Sequence, residues 1–282
     1  MATKATADDW KIMADTYKRL TEDTSIKPIG LMLEQLNARV PFSQASGILD
    51  SGCGPAPIMA RAIAEYGSRI LPSCALTCSD YAPAMIDQVR RSQTRFLQED
   101  PESLWGRVRA EVLDAMDLSS IRDDAMSHVA AGWVFFTTKD PQKCLSECQR
   151  VLRPDGVVAV SSWEETEWLK IMKPLKQIDP GISPPSMRQG WETVLGLHGQ
   201  LEQARFRRVE VYQVPTEVAF ESYSTFVELL LTKMPHMVTL IRNFSDEQRE
   251  QLRELMIDEM RRLSLAEPGA LKGVALIAIG QK

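Results

Sequence analysis

Three aspartates have the type and spacing to do chemistry, because each closes an apolar run: Asp50 after Gly47-Ile48-Leu49, Asp80 after Ala75 to Ser79, and Asp114 after Val112-Leu113. Two glycines follow the first of them at once, in Asp50-Ser51-Gly52-Cys53-Gly54-Pro55. A missing Cβ lets the backbone bend sharply and lie close to a ligand, so this pair suits a small molecule held across a turn. Two common uses of such a turn are disfavoured. A dinucleotide fingerprint wants a third glycine where Pro57 stands, and a phosphate-cradling loop wants Gly-Lys-Ser/Thr, which is missing. What is left is D-x-G-x-G, serving another nucleotide-like ligand or a plain βα turn.

The elements around these residues decide between the two. Gly47 to Asp50 reads as a strand, and Ile58, Met59, Ala62 and Ile63 place one apolar face on a helix from about Pro57 to Tyr66. Ala75 to Ser79 is a second strand, followed by a helix from about Pro83 to Gln98. Trp105 to Val112 contains a third strand, Ser127 to Ala131 is a fourth, and Pro141 to Leu152 is a helix. Arg153-Pro154-Asp155-Gly156 reads as a turn in which the glycine takes the left-handed conformation, before a fifth strand from Val157 to Ser162. Strand and helix alternate, which predicts an α/β fold with a parallel sheet and right-handed crossovers. All three aspartates then sit at carboxyl ends of strands, where open α/β sheets bind ligands.

Beyond Trp163 the pattern loosens around Pro174, Pro180, Pro184 and Pro185. A helix is expected near Trp191 to Ala204, a strand from Arg208 to Val214, and a helix from Tyr223 that stops at Pro235. Ser245-Asp246-Glu247-Gln248 is a capping box for another helix, and Gly273 to Gly280 reads as a last strand. The N-terminal stretch carries a helical stripe of Trp10, Met13, Tyr17 and Leu20.

Composition narrows the partners. The chain has 282 residues, a net charge of −5 and no basic stripe, so a nucleic-acid partner is not expected. The start is polar, so neither a signal peptide nor a membrane span is expected, and the compartment is read as cytoplasmic with five reduced cysteines. Cys144 and Cys148 share a helix face and Cys74 and Cys78 flank a strand start, spacings that suit buried small residues better than a metal site.

The D-x-G-x-G turn and its strand-end acids resemble the class I S-adenosylmethionine-dependent methyltransferases. The resemblance implies a Rossmann-like seven-stranded sheet with N-terminal helices, an antiparallel final strand and a helical insertion forming a lid. It divides the chain into an N-terminal helical cap (1–44), a cofactor-binding core (45–165), and a substrate lid plus the last two strands (166–282). It also implies S-adenosylmethionine as cofactor. Asp50 would fix the glycine turn and the cofactor's amino group, and Asp80 would take the ribose hydroxyls. Asp114, Ala115 and Met116 would meet the adenine. Gly52, Cys53, Gly54, Tyr81, Met85 and Ala131 are carried over as further contacts, and Tyr17 as a residue folding over the methionine carboxylate.

More narrowly, the chain resembles fungal secondary-metabolite methyltransferases, among them the thiol S-methyltransferases of gliotoxin-type dithiols. Leu76-Thr77-Cys78-Ser79-Asp80, Asp114-Ala115-Met116-Asp117 and Ser161-Ser162-Trp163 carry that likeness. It implies a small-molecule acceptor, a monomer or homodimer, and catalysis by positioning with no protein nucleophile. Aromatic faces attract a sulfonium, so Trp10, Trp133, Phe136, Trp163, Trp168 and Trp191 are candidate walls of the acceptor pocket, with Phe135 beside them. Phe226, Leu230 and Met234 are read as core in the first instance. His128 is expected to be structural, being near the start of its strand and far from the strand ends that bind ligands. An O- or N-methyltransferase and a non-catalytic cofactor-binding module are the alternatives.

Overall fold

The structure, a computed structural model, describes residues 24–282 apart from the side chains of Pro235 and His236. The expected roles of Trp10 and Tyr17 therefore lie outside the described residues. Helix α1 covers residues 24–39. Strand β1 (Gly47–Ser51) leads into α2 (Pro57–Tyr66), β2 (Ala75–Asp80) into α3 (Pro83–Glu99), and β3 (Val108–Val112) into β4 (Met126–Ala131) through a loop. Then come α4 (Pro141–Val151), β5 (Leu152–Thr166), the short α5 (Glu167–Ile171) and α6 (Leu175–Ile178), and α7 (Val194–Gln203). Strand β6 (Arg207–Phe220), helices α8 (Tyr223–Lys233), α9 (Pro235–Leu240) and α10 (Asp246–Leu263), and β7 (Gly269–Gln281) complete the chain.

The seven strands form one sheet in the order β3-β2-β1-β4-β5-β7-β6. The first five run parallel, and β7 lies antiparallel between β5 and β6, as expected for the last strand. From β1 the chain winds outward to β2 and β3, then crosses back to β4 and β5. That reversal opens a crevice at the carboxyl ends of β1 and β4, the binding position in sheets of this kind.

Side chains alternate between two cores. Ile48, Leu76, Cys78, Val157 and Ala159 face α1 and α2, whereas Leu49, Val129, Val158 and Val160 face α4 and α7. Each fully buried valine, leucine or isoleucine among them contributes about 1.5–3 kcal/mol. A third cluster gathers α5, α6, α8, α9 and α10 around Phe226, Leu230, Leu252, Met256 and Leu271. Phe226 and Leu230 are thus core, as expected. Proline opens α2, α3 and α4, where its missing N–H costs no hydrogen bond. Ser245 and Gln248 form the capping box of α10. The five cysteines are free and buried. His128 is fully buried, with Nε2 against the Val40 carbonyl and Nδ1 against the Ser127 hydroxyl, both at 2.8 Å.

Several expectations need correction. Helix α7 starts at Val194 because Thr193 caps it, its side chain accepting from the Gly196 amide. Pro235 ends one helix and opens another, since it cannot donate but suits a first turn. Arg153 to Gly156 is a bulge within β5: Met126 pairs with Leu152 and His128 with Val157, so the four intervening residues loop out. The left-handed residue there is Asp155 (φ 62°), not Gly156. Gly156 is needed for closeness instead, because a Cβ would lie 2.9 Å from the Arg153 carbonyl oxygen and 3.2 Å from that of Ser127.

Gly156→Ala is therefore expected to destabilise the fold by about 1–3 kcal/mol, since both obstacles are backbone. Asp155→Gly should be neutral or slightly stabilising. Urea denaturation of the two variants measures the difference, and the reverse order would contradict the bulge geometry.

Candidate active site

Asp80 organises the crevice. Its Oδ2 accepts from the Gly54 amide and its Oδ1 from the Ala82 amide, each at 2.9 Å. The Cys53 amide donates to the Ser79 carbonyl at 2.9 Å, so the glycine turn is bound to the end of β2 at two points. Asp80 keeps a small exposed face, and burial raises its pKa against the pull of the two amides. Each carboxylate oxygen has a second lone pair for a ligand hydroxyl.

Asp50 is buried at the end of β1, with Oδ2 accepting from the Met59 amide at 3.1 Å. Met59 lies in the first turn of α2, whose N-cap residue, Ala56, has no side-chain acceptor to offer. The carboxylate thus caps α2 from the neighbouring strand and sits against the positive end of the helix dipole. Its Oδ1 has no partner among the described residues. Burial, reinforced by the charge of Asp80, lifts the Asp50 pKa from 3.8 to about 7 despite the Met59 hydrogen bond. A cationic ligand group would meet both the lone oxygen and the lifted pKa.

The two glycines do different work. Gly52 has φ +67°, and a Cβ on it would fall 2.4 Å from Val134 Cγ2, so it lets the segment after β4 close on the turn. Gly54 has φ +53°, and a Cβ on it would meet nothing within 4 Å, so it faces open space. Cys53 between them is buried, and its thiol pKa is pushed well above the usual value by burial, next to Cys78. Such a thiol stays neutral and is a poor nucleophile.

Around this turn, Met85 and Ala131 are buried, Tyr81 is exposed, and Ala115 is buried beside the partly exposed Met116. Asp114 is exposed, and its Oδ1 accepts from the Met116 amide at 2.9 Å, closing a turn whose ends bridge at Asp114 and Asp117. The residues expected to meet ribose and adenine therefore line one edge of the crevice, on β2 and beyond β3. The lone Asp50 oxygen, the open side of Gly54 and the carboxylate of Asp80 fit S-adenosylmethionine, which carries an ammonium group at its amino-acid end and a ribose diol between that end and the adenine.

The aromatic set divides. Trp133 stacks on Trp163 at 5.4 Å between centroids, and Trp163 meets Trp168 edge-on at 4.9 Å, a chain of indoles at the carboxyl ends of β4 and β5. Trp191 leaves the candidate pocket: it is 1% exposed, lies in the core beneath α4 and α7, and touches Phe136 there. Its position follows from a link the sequence does not announce, the Ser162 hydroxyl donating to the Trp191 carbonyl. Phe135 is buried in that same core. Sequence reasoning also misses Ser161. Trp133 has φ +54°, a strained conformation for a bulky residue, and the Ser161 hydroxyl accepts from its amide at 2.8 Å.

Gly54→Ala is expected to keep the fold within about 1–2 kcal/mol of wild type, the cost of the left-handed turn, while losing affinity for S-adenosylhomocysteine. Gly52→Ala should lose stability first, through the collision with Val134. Thermal denaturation beside calorimetric titration separates the two, and equal losses of stability would refute the division of labour.

Asp50 gives a pH prediction. With its folded pKa above the unfolded value, the ligand-free protein holds an extra proton between about pH 4 and 7. Stability is then lost as pH rises through that window, by at most about 4 kcal/mol. Asp50→Asn should flatten this contribution, read as the wild-type minus variant difference in denaturation free energy across that range. A difference that grows towards acid in the variant's favour would contradict it.

A methyltransferase-domain family model matches residues 49–160, from within β1 into β5. Methyltransferase ucsB of an Acremonium species is 42% identical over 274 residues, covering 97% of this chain and 95% of that protein. The acetylaranotin bis-thiomethyltransferase of Aspergillus terreus is 30% identical over 210 residues, covering 72% and 68%. In fold, the chain is similar to the YcgJ protein of Bacillus subtilis (TM-score 0.52, 17% identity, 90% and 97% covered). It is also similar to a Haemonchus contortus phosphoethanolamine N-methyltransferase in complex with S-adenosylmethionine (TM-score 0.50, 16% identity, 90% and 52% covered). With this relatedness along nearly its whole length, and with the glycine turn and strand-end acids where the fold needs them, the chain belongs to the class I S-adenosylmethionine-dependent methyltransferases and resembles those of fungal secondary metabolism.

Proposed function

We propose that this enzyme methylates a thiol of a small-molecule secondary metabolite by direct in-line transfer. The observation that carries the reading is the indole chain Trp133–Trp163–Trp168, read as the acceptor wall. Among the described histidines, His128 is tied into the core and held neutral by burial, its pKa lowered to about 4, and His198 pairs with Glu202 on α7. A thiol has an ordinary pKa of about 8.5 and is partly ionised near neutrality, so it needs no base, whereas a phenol or alcohol does. The name of the Aspergillus terreus relative, a bis-thiomethyltransferase, supports the same acceptor atom.

S-adenosylmethionine, when bound, supplies a methyl group activated by a sulfonium. The protein's part is to hold and dry the site. Asp50 and the glycine turn take the amino-acid end, Asp80 the ribose, and Asp114, Ala115 and Met116 the adenine. The indole faces attract positive charge and exclude water, which sharpens the nucleophile and fixes its approach. The helices around Phe226 and Leu252 are proposed as the lid over the acceptor. No protein nucleophile takes part, and the buried, neutral Cys53 is in keeping with that.

Incubation with labelled cofactor and a panel of dithiols, phenols and amines tests the reading. Thiols should be methylated, with a rate that rises as the acceptor's own thiol ionises, and Trp163→Ala should raise the acceptor KM several-fold. Faster methylation of a phenol or an amine would overturn the thiol assignment and leave the methyltransferase in place.

A further inference from the structure

The loop from Asp114 to Asp124 joins β3 to β4 and carries Ala115 and Met116. It contains no helix or strand of its own, yet it is held from outside at several atoms. Leu118 and Ile121 are buried in the core against α4. The Leu118 amide donates to Glu147 Oε2 at 2.8 Å, and the Leu118 carbonyl accepts from Arg150 Nη2 at 2.8 Å. Arg150 Nη1 donates to the Ile121 carbonyl at 2.8 Å and to Asp123 at 2.6 Å. Glu147 and Arg150 are one turn apart on α4 and bond each other at 2.8 Å. Glu147 is 6% exposed, and its pKa is lowered to about 2, first by Arg150 and, against its burial, by the Leu118 amide.

Main-chain donors and acceptors of a loop seldom find two charged side chains aimed at the same residue. Here the pair holds both polar backbone atoms of Leu118, whose carbonyl also accepts from the Ile121 amide at 2.8 Å, and Leu118 lies two residues beyond Met116. We infer that Glu147, with Arg150, is a positioning residue for the cofactor's adenine, setting the Asp114–Asp117 turn against it from α4. The inference rests on the reading of Ala115 and Met116 as adenine contacts. Neither Glu147 nor Arg150 is a catalytic residue in this scheme, since both act through the loop. A carboxylate and a guanidinium suit the task because charge-assisted bonds are short and directional, and the guanidinium fork spans two carbonyls at once.

Glu147→Gln keeps the shape and places an amide where donors from Leu118, Lys143 and Arg150 now converge. It is expected to raise the Kd for S-adenosylhomocysteine about tenfold, the size of losing one charge-assisted hydrogen bond. The kcat at saturating cofactor and the acceptor KM should stay as in wild type. Adenosine, as a competitive inhibitor, should weaken by the same factor, and methionine should not weaken at all. Arg150→Lys, which keeps the charge and loses the fork, should behave like Glu147→Gln. A lower thermal midpoint with unchanged Kd would show a purely structural role and overturn the proposal. Met116→Ala tests the underlying reading separately. If it leaves the Kd for S-adenosylhomocysteine unchanged, the adenine assignment falls and the positioning role falls with it. If it weakens binding while Glu147→Gln does not, only the positioning role fails.

Discussion

The carboxylate of Asp80 accepts two backbone amides, one from the glycine turn and one from the start of the segment leading to α3. Without it, the Gly54 amide would lose its partner and the turn would keep only the Cys53 bond to Ser79 as its tie to β2. With it, Gly54 faces open space at the topological switch of the sheet, and the carboxylate keeps lone pairs free for a ligand. Asp50 acts in parallel one strand away, capping α2 from below the same turn. Both acids are held where charge is costly, and their raised pKa values record that cost. A site built this way is matched to a ligand carrying positive charge and hydroxyls.

The rest of the molecule supports that arrangement in layers. The central strands are buried on both faces and give the turn a rigid floor. The segment after β4 closes on Gly52 through Val134, and its backbone is bent into an unfavourable conformation at Trp133, which Ser161 of β5 receives. The glycine turn and the indole chain are thus joined through three neighbouring strands. A change at Ser161 would be felt at Trp133 and, through it, along the indole chain.

Much of this was legible in the sequence, for reasons of period and punctuation. Apolar runs ending in Asp50, Asp80 and Asp114, with glycines beside the first, gave the strand ends and the ligand edge. Proline at the starts of α2, α3 and α4 marked the helices. What escaped depends on contacts distant in sequence. Trp191 reads as an aromatic in a loose segment, and only its carbonyl's bond to Ser162, together with its packing against Phe136, shows it to be core. The bulge in β5 reads as an ordinary turn because Pro-Asp-Gly has turn chemistry. Register with β4 decides that aspartate takes the left-handed position and that glycine is needed for a close backbone approach. The hold of Glu147 on the Leu118 amide spans 29 residues and leaves no local pattern.

The place of β7 bears on how the chain acquires its fold. The strand inserted between β5 and β6 is the last of the seven to be synthesised, and it pairs with both over most of its length. Until it arrives, β5 presents an unpaired edge and β6 has no partner in the sheet. Unsatisfied strand edges invite wrong pairings, so the half-made enzyme is at its most vulnerable late in synthesis. Only the parallel half, with its glycine turn, can settle as it emerges. The indole chain, whose Trp163 pairs with Ala275 of β7, must wait for the final strand.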